Sequence, residues 1–211
     1  MPKPTSTPWP EFRRDLVAIL RGVKPGEAVA IGEALAEAGF EAIEVPLNSP
    51  EPLKSIEALR RALPDNVLVG AGTVLEADQV DAVKHAGGGL IVSPNCDRQV
   101  ISHSASLGLV SLPGVFTATE AFMALRHGAS ALKFFPASNL GTGGIKALTA
   151  VLPKETVIAA VGGVADGDFQ SYRNAGTRAF GLGSSLYKPG YSAQDVAERA
   201  RAAVAAYDAL S

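Results

Sequence analysis

Several things are scarce in this 211-residue chain, and each scarcity closes off a class of function. A single cysteine, Cys96, rules out an internal disulfide and suits a reducing cytosol. There are three histidines, His85, His103 and His127, all in or at the ends of stretches with helical spacing. No cluster has convincing metal-ligand spacing, so no metal is expected. No uninterrupted apolar run is long enough to cross a membrane. The formal charge is only −2 and there is no long basic run, which argues against nucleic acid as a partner. Met1–Pro10 contains four prolines and no apolar core of the signal-peptide kind. It reads as a poorly ordered lead-in, which Trp9 and Phe12 could dock onto the body. The domain is therefore expected over residues 16–211, with 1–15 preceding it.

What the chain has in quantity is alternation. Short apolar strands are expected at Leu16–Leu20, Ala42–Leu47, Val67–Val69, Leu90–Val92, Leu109–Leu112, Ala131–Phe135, Val157–Val161 and Arg178–Leu182. Between and after them lie stretches of helical spacing. These run from Glu27 to Ala38, from Ser49-Pro50 to about Leu63, and over Glu76–Ala86, Arg98–Leu107 and Thr117–His127. The remaining three cover Gly144–Leu152, Asp166–Ala175 and Ser192–Leu210. Glycines 39, 87, 108 and 128 stand just beyond helices, where a left-handed residue ends them. Eight strands alternating with eight helices, with no linker, predict a single (β/α)8 barrel.

The chain also looks duplicated at a spacing of 89 residues. Gly39 maps onto Gly128, Leu63-Pro64 onto Leu152-Pro153, and Gly87 onto Gly176. Recurrent helix-ending glycines are the plainer explanation, but three ungapped matches at one offset favour duplicated half-barrels. The same offset carries Glu44 onto Lys133.

That pair carries the chemistry. Side chains alternate along a strand, so in Ala131-Leu132-Lys133-Phe134-Phe135-Pro136 the lysine faces away from Leu132 and Phe134. If Ile43 and Val45 face the helices, Glu44 faces the barrel axis. The second and sixth strands of such a barrel oppose one another. A buried lysine loses its proton more easily and can then act as a Schiff-base nucleophile. The plainer alternatives are an edge lysine reaching water or a structural buried ion pair.

Glycine clusters after the predicted seventh and eighth strands, Gly162-Gly163 and Gly181-Leu182-Gly183-Ser184, sit where barrel enzymes often hold phosphate. Without a Cβ, backbone N–H groups can approach an anion; mere turn chemistry is the alternative. Arg21, Asn48, Thr73 and Asn95 end strands at the same mouth, Arg21 able to clamp an anion or form a rim ion pair. Cys96 has no histidine near it in sequence and reads as structural or incidental.

The ordered segments Ile19-Leu20-Arg21-Gly22, Glu44-Val45-Pro46-Leu47-Asn48-Ser49-Pro50, Gly70-Ala71-Gly72-Thr73-Val74, Ser93-Pro94-Asn95, Lys133-Phe134-Phe135-Pro136, Gly162-Gly163-Val164 and Gly183-Ser184 together resemble the class I 2-keto-3-deoxy-6-phosphogluconate/6-phosphogalactonate aldolase family. The resemblance spans roughly Leu16 to Ala206. It implies a homotrimeric, cytoplasmic barrel aldolase without metal or other cofactor, acting on a phosphorylated 2-keto-3-deoxy sugar acid. It further implies Lys133 as the Schiff-base lysine and Glu44 as general acid/base. Arg21 and Thr73 would contact substrate, and Gly162, Gly163, Gly183 and Ser184 would hold its phosphate. Asn48 and Val161 depart from the arginine and threonine of the gluconate type and resemble the galactonate branch. The gluconate epimer, a broader 2-keto acid aldolase and a non-catalytic sugar-phosphate binding barrel are the alternatives.

Overall fold

The computed structural model describes residues 6–210; the first five residues of the expected lead-in, and Ser211, lie outside them. The chain runs β1 (Leu16–Ile19), α1 (Pro25–Ala38), β2 (Ala42–Pro46), α2 (Pro52–Ala62), β3 (Leu68–Gly72), α3 (Ala77–His85), β4 (Leu90–Val92), α4 (Arg98–Ser106) and β5 (Val110–Leu112). It continues through β6 (Gly114–Val115), α5 (Ala118–Arg126), β7 (Leu132–Phe134), α6 (Ala137–Thr149), β8 (Ile158–Val161), α7 (Phe169–Asn174), β9 (Ala179–Leu182) and α8 (Ala193–Asp208). All pairings are parallel, in the order β5-β4-β3-β2-β1-β9-β8-β7-β6.

This is the expected barrel with one refinement. The predicted fifth strand is two short pieces, β5 pairing with β4 and β6 with β7, so the ring closes through the chain itself. Pro113 separates them. Proline has no N–H to give a ladder, but its carbonyl accepts from Lys133 N at 2.9 Å and so starts the pairing to β7. Two boundaries also differ from expectation. β3 continues through Gly70-Ala71-Gly72, and α6 begins directly after Pro136, broken at Gly141 (φ 68°, ψ 167°).

Period-two alternation divides the strand residues into two apolar layers. Outward-facing Ile43, Val45, Leu132, Phe134, Ile158 and Phe180 pack under the helices. Each large side chain buried there is worth roughly 1.5–3 kcal/mol. Inward-facing residues are smaller, among them Val17, Ala42, Ala131, Ala159, Val161 and Ala179. Trp9 joins this inner cluster and stacks edge-on against Phe12, with ring centroids 5.6 Å apart. Its indole N–H donates to Asp15 Oδ1 at 2.7 Å, while Arg178 Nε donates to Asp15 Oδ2 at 2.8 Å. The segment before β1 thus docks as a plug at the N-terminal end of the barrel, opposite the mouth.

The internal duplication extends to backbone conformation. Gly39 and Gly128 both end helices with left-handed φ (104° and 97°), as do Gly87 and Gly176 (85° and 97°). At the same offset Thr73 (φ 54°) matches Gly162 (φ 91°).

Candidate active site

Glu44 lies mid-strand in β2 and Lys133 mid-strand in β7, both pointing into the barrel and only 1% and 5% exposed. In register, Glu44 stands between Ile19 and Gly70, and Lys133 between Gly114 and Ala159.

Burial governs the two protons. It lifts the Glu44 carboxyl to about 7, against the opposing pull of the positive charges on Lys133 and Arg21. It lowers the Lys133 ammonium to about 8, opposed by Glu44 and reinforced by Arg21. The two act on each other as charges rather than through a hydrogen bond, and Glu44 Oε2 has no hydrogen-bond partner among the described residues. Above the pair, Lys133 Nζ sits 4.7 Å from the centroid of the Phe135 ring.

A cavity of about 550 Å³ opens at the C-terminal mouth, and its wall includes Arg21, Lys133, Gly162, Gly163, Gly183 and Ser184. That volume falls in the range typical of small-molecule sites. The structure therefore gathers six of the eight sequence-predicted residues on one surface. Glu44 lies buried beneath it. Thr73 reaches the site through Arg21, whose Nη1 donates to Asn48 Oδ1 at 2.7 Å and to Thr73 Oγ1 at 3.4 Å. Thr73 adopts a left-handed conformation that a β-branched residue rarely takes. Such strain gathers at ligand-binding sites, where the surrounding structure holds it in place.

The other candidates fall away from the chemistry. Burial, with the charges of Glu120 and Asp97, pushes the Cys96 thiol up to about 11, so it holds its proton at neutral pH. His103 bonds Asp81 at 3.0 Å, and His85 and His127 bond helix carbonyls. No group of three or more potential metal ligands occurs among the described residues.

Sequence reasoning missed two contributors. Asn48 was legible as a polar strand end, but its hold on Arg21 needed coordinates. Gly72 was legible only as part of a glycine run. A Cβ there would fall 1.9 Å from Glu44 Oε2.

Comparison with known proteins finds relatives over nearly the whole chain. A family model described as KDPG and KHG aldolase matches residues 13–202. A probable 2-dehydro-3-deoxy-6-phosphogalactonate aldolase of Rhizobium meliloti (strain 1021) is 56% identical over 203 residues, 96% of either chain. The 2-dehydro-3-deoxy-6-phosphogalactonate aldolase of Escherichia coli (strain K12) is 49% identical over 192 residues, 91% of this chain and 94% of its own. A solved structure described as native KDPGal superposes with a TM-score of 0.93 at 47% identity, covering 95% of this chain and 97% of that one.

Proposed function

The chain belongs to the KDPG and KHG aldolase family, and from that premise we propose that this carbon–carbon lyase is a Schiff-base aldolase cleaving 2-dehydro-3-deoxy-6-phosphogalactonate to pyruvate and glyceraldehyde 3-phosphate. The observation that carries the mechanism is the buried, opposed pair of Glu44 and Lys133 under a cavity open at the barrel mouth.

Lys133, its ammonium held at about 8, presents a useful fraction of neutral amine near neutral pH. The amine attacks the C2 carbonyl, and loss of water from the carbinolamine leaves an iminium. Glu44, as carboxylate and through a bridging water, takes the proton of the C4 hydroxyl. The C3–C4 bond then breaks, its electron pair flowing into the iminium to give an enamine while C4 becomes the aldehyde. Glyceraldehyde 3-phosphate departs. Glu44, now protonated, returns its proton to C3, and water hydrolyses the iminium to free pyruvate and Lys133. A carboxyl poised at about 7 suits both the accepting and the donating step. Arg21, oriented by Asn48 and Thr73, is placed to pair with the substrate carboxylate. Gly162, Gly163, Gly183 and Ser184 face the cavity where the phosphate would sit.

The galactonate reading over the gluconate one is supported by Val161, whose apolar side chain lines the cavity. A threonine there would offer a hydroxyl to the C4 oxygen. Exposed Leu75, Phe116 and Phe122 are consistent with a homotrimer. Among the described residues no helix is long and apolar enough to cross a membrane, and a cytoplasmic location fits this chemistry.

The test has two arms. Borohydride reduction with pyruvate, followed by peptide mass spectrometry, is expected to place the adduct on Lys133 in the wild type. Lys133→Ala should lose both adduct and cleavage, and an adduct on another lysine would overturn the assignment. Side-by-side assay of the two C4 epimers should favour the galactonate, and a preference for the gluconate would reverse the substrate reading.

A further inference from the structure

We propose that Gly72 is a positioning residue for the reaction: the space left by its missing side chain is the niche in which the Glu44 carboxylate sits. The inference rests on the reading of Glu44 as the proton-transfer group, and the experiment below separates the two.

Gly72 closes β3 one pleat above Glu44, in register with Pro46 of β2. A Cβ built on Gly72 would come within 1.9 Å of Glu44 Oε2, 2.3 Å of its carboxyl carbon and 2.5 Å of Oε1. All three nearest atoms thus belong to the one carboxylate. None of these three is backbone. Gly70, two residues earlier, differs in this respect: a Cβ there would strike the Leu90 carbonyl at 2.0 Å. Gly72 is also absent from the positive-φ residues, so an L-amino acid fits its backbone without strain. A glycine is therefore not required here by conformation. It is required by space, and the atoms needing that space are the carboxylate oxygens.

The niche has a second property. Glu44 is 99% removed from solvent and, among the described residues, Oε2 has no hydrogen-bond partner to anchor it. That oxygen is positioned by the shape of the niche and by the charges of Lys133 and Arg21 rather than by a donor. Adding one methyl group at Gly72 meets the far end of a flexible side chain, which moves rather than breaking the fold. The carboxylate is then displaced from the path between Lys133 and the reacting carbons. Displacements of about 1 Å in a catalytic group can lower rates about 10²-fold.

The experiment is a double-mutant cycle on the full chain with Gly72→Ala and Glu44→Asp. Aspartate is one methylene shorter and retracts from the added methyl. Gly72→Ala alone is expected to lower kcat about 10²-fold with KM little changed, while borohydride trapping of pyruvate on Lys133 persists. In the Glu44→Asp background the same substitution should cost less than threefold, or raise kcat. If Gly72→Ala fails to fold, the expected result is recovery of a folded double variant by circular dichroism. Multiplicative losses in kcat, or a double variant that stays unfolded, would show that the methyl meets something other than Glu44 and would overturn the proposal. Glu44→Gln, measured in parallel, tests the underlying reading. Near-normal turnover in that variant removes Glu44 from the mechanism whatever the cycle gives.

Discussion

Glu44→Gln should make the protein more stable while disabling it. In the folded chain the Glu44 carboxyl holds its proton up to about 7, whereas an ordinary glutamate releases it near 4.5. The difference corresponds to roughly 3 kcal/mol of destabilisation once the group is ionised in both states. The sign follows from proton binding. Below about 4.5 the group is neutral whether the chain is folded or not. Between 4.5 and about 7 the folded chain holds a proton that the unfolded chain has lost, so stability falls as pH rises. Above about 7 the full cost is present. Glutamine carries no such charge at any pH. The shift already nets the pull of Lys133 and Arg21 against burial, so the expected gain is of the same order, roughly 1–3 kcal/mol at pH about 8. For a chain of this size that raises Tm by about 2–10 °C. Thermal melts at fixed protein concentration, at about pH 8 and about pH 4.5, measure it. The variant should melt higher at the first and together with wild type at the second, while turnover drops about 10²–10⁴-fold. A variant that melts no higher at pH 8, or higher by the same margin at both, would refute the claim that burial raises this carboxyl.

Three further outcomes follow from the same geometry. Gly183→Val places a side chain where nothing lies within 4 Å, on a backbone that accepts one, so it should fill the proposed phosphate space. The ratio of kcat/KM for phosphorylated over unphosphorylated substrate should then fall about tenfold or more, and an unchanged ratio in a folded variant would place the phosphate elsewhere. Gly162 is the poorer probe, because a Cβ there presses the Phe135 ring at 3.0 Å on a left-handed backbone. Arg21→Met removes a positive charge that lowers both Glu44 and Lys133, so both should titrate higher. The rising limb of the pH–kcat/KM profile should move to higher pH with a raised KM; an unmoved limb would dissociate Arg21 from the pair. Trp9→Ala, at the far end of the barrel, should cost about 3–5 kcal/mol in urea unfolding. The kcat of the remaining folded protein should stay close to wild type, and a large fall would contradict the separation of plug from mouth.

The features legible in the sequence were those set by periodicity. Alternation along a strand was enough to turn Glu44 and Lys133 inward, because Ile43, Val45, Leu132 and Phe134 had to face the helices. Recurrence at one offset was enough to oppose them. Features that depend on what lies across the barrel were not legible. The split at Pro113 reflects a change of pairing partner, which leaves no trace in a run read as Leu109–Leu112. α6 begins at Ala137 rather than the expected Gly144, because the chain takes up a break at Gly141 and continues as helix. Gly72 could not be distinguished from its neighbour Gly70, since both lie in one motif and only the atoms opposite tell carboxylate from carbonyl. Asn48 and Arg21 are separated by a whole strand and helix, and their 2.7 Å bond is a property of the closed mouth.

The ring of strands has a consequence in time as well as in space. β1 pairs with β2 on one side and β9 on the other, so one edge of the first strand waits for a partner some 160 residues later in the chain. On the ribosome, at about 5–20 residues per second, that wait lasts roughly 8–30 seconds. Until β9 emerges, Leu16–Ile19 presents an open edge of apolar residues able to pair with a second nascent copy. Arg178, which binds Asp15 beside that edge, arrives just ahead of β9, and Asp208, which binds Arg14, only at the end of α8. The barrel thus stays open to wrong pairing until late in its synthesis, after Glu44 and Lys133 have both been made.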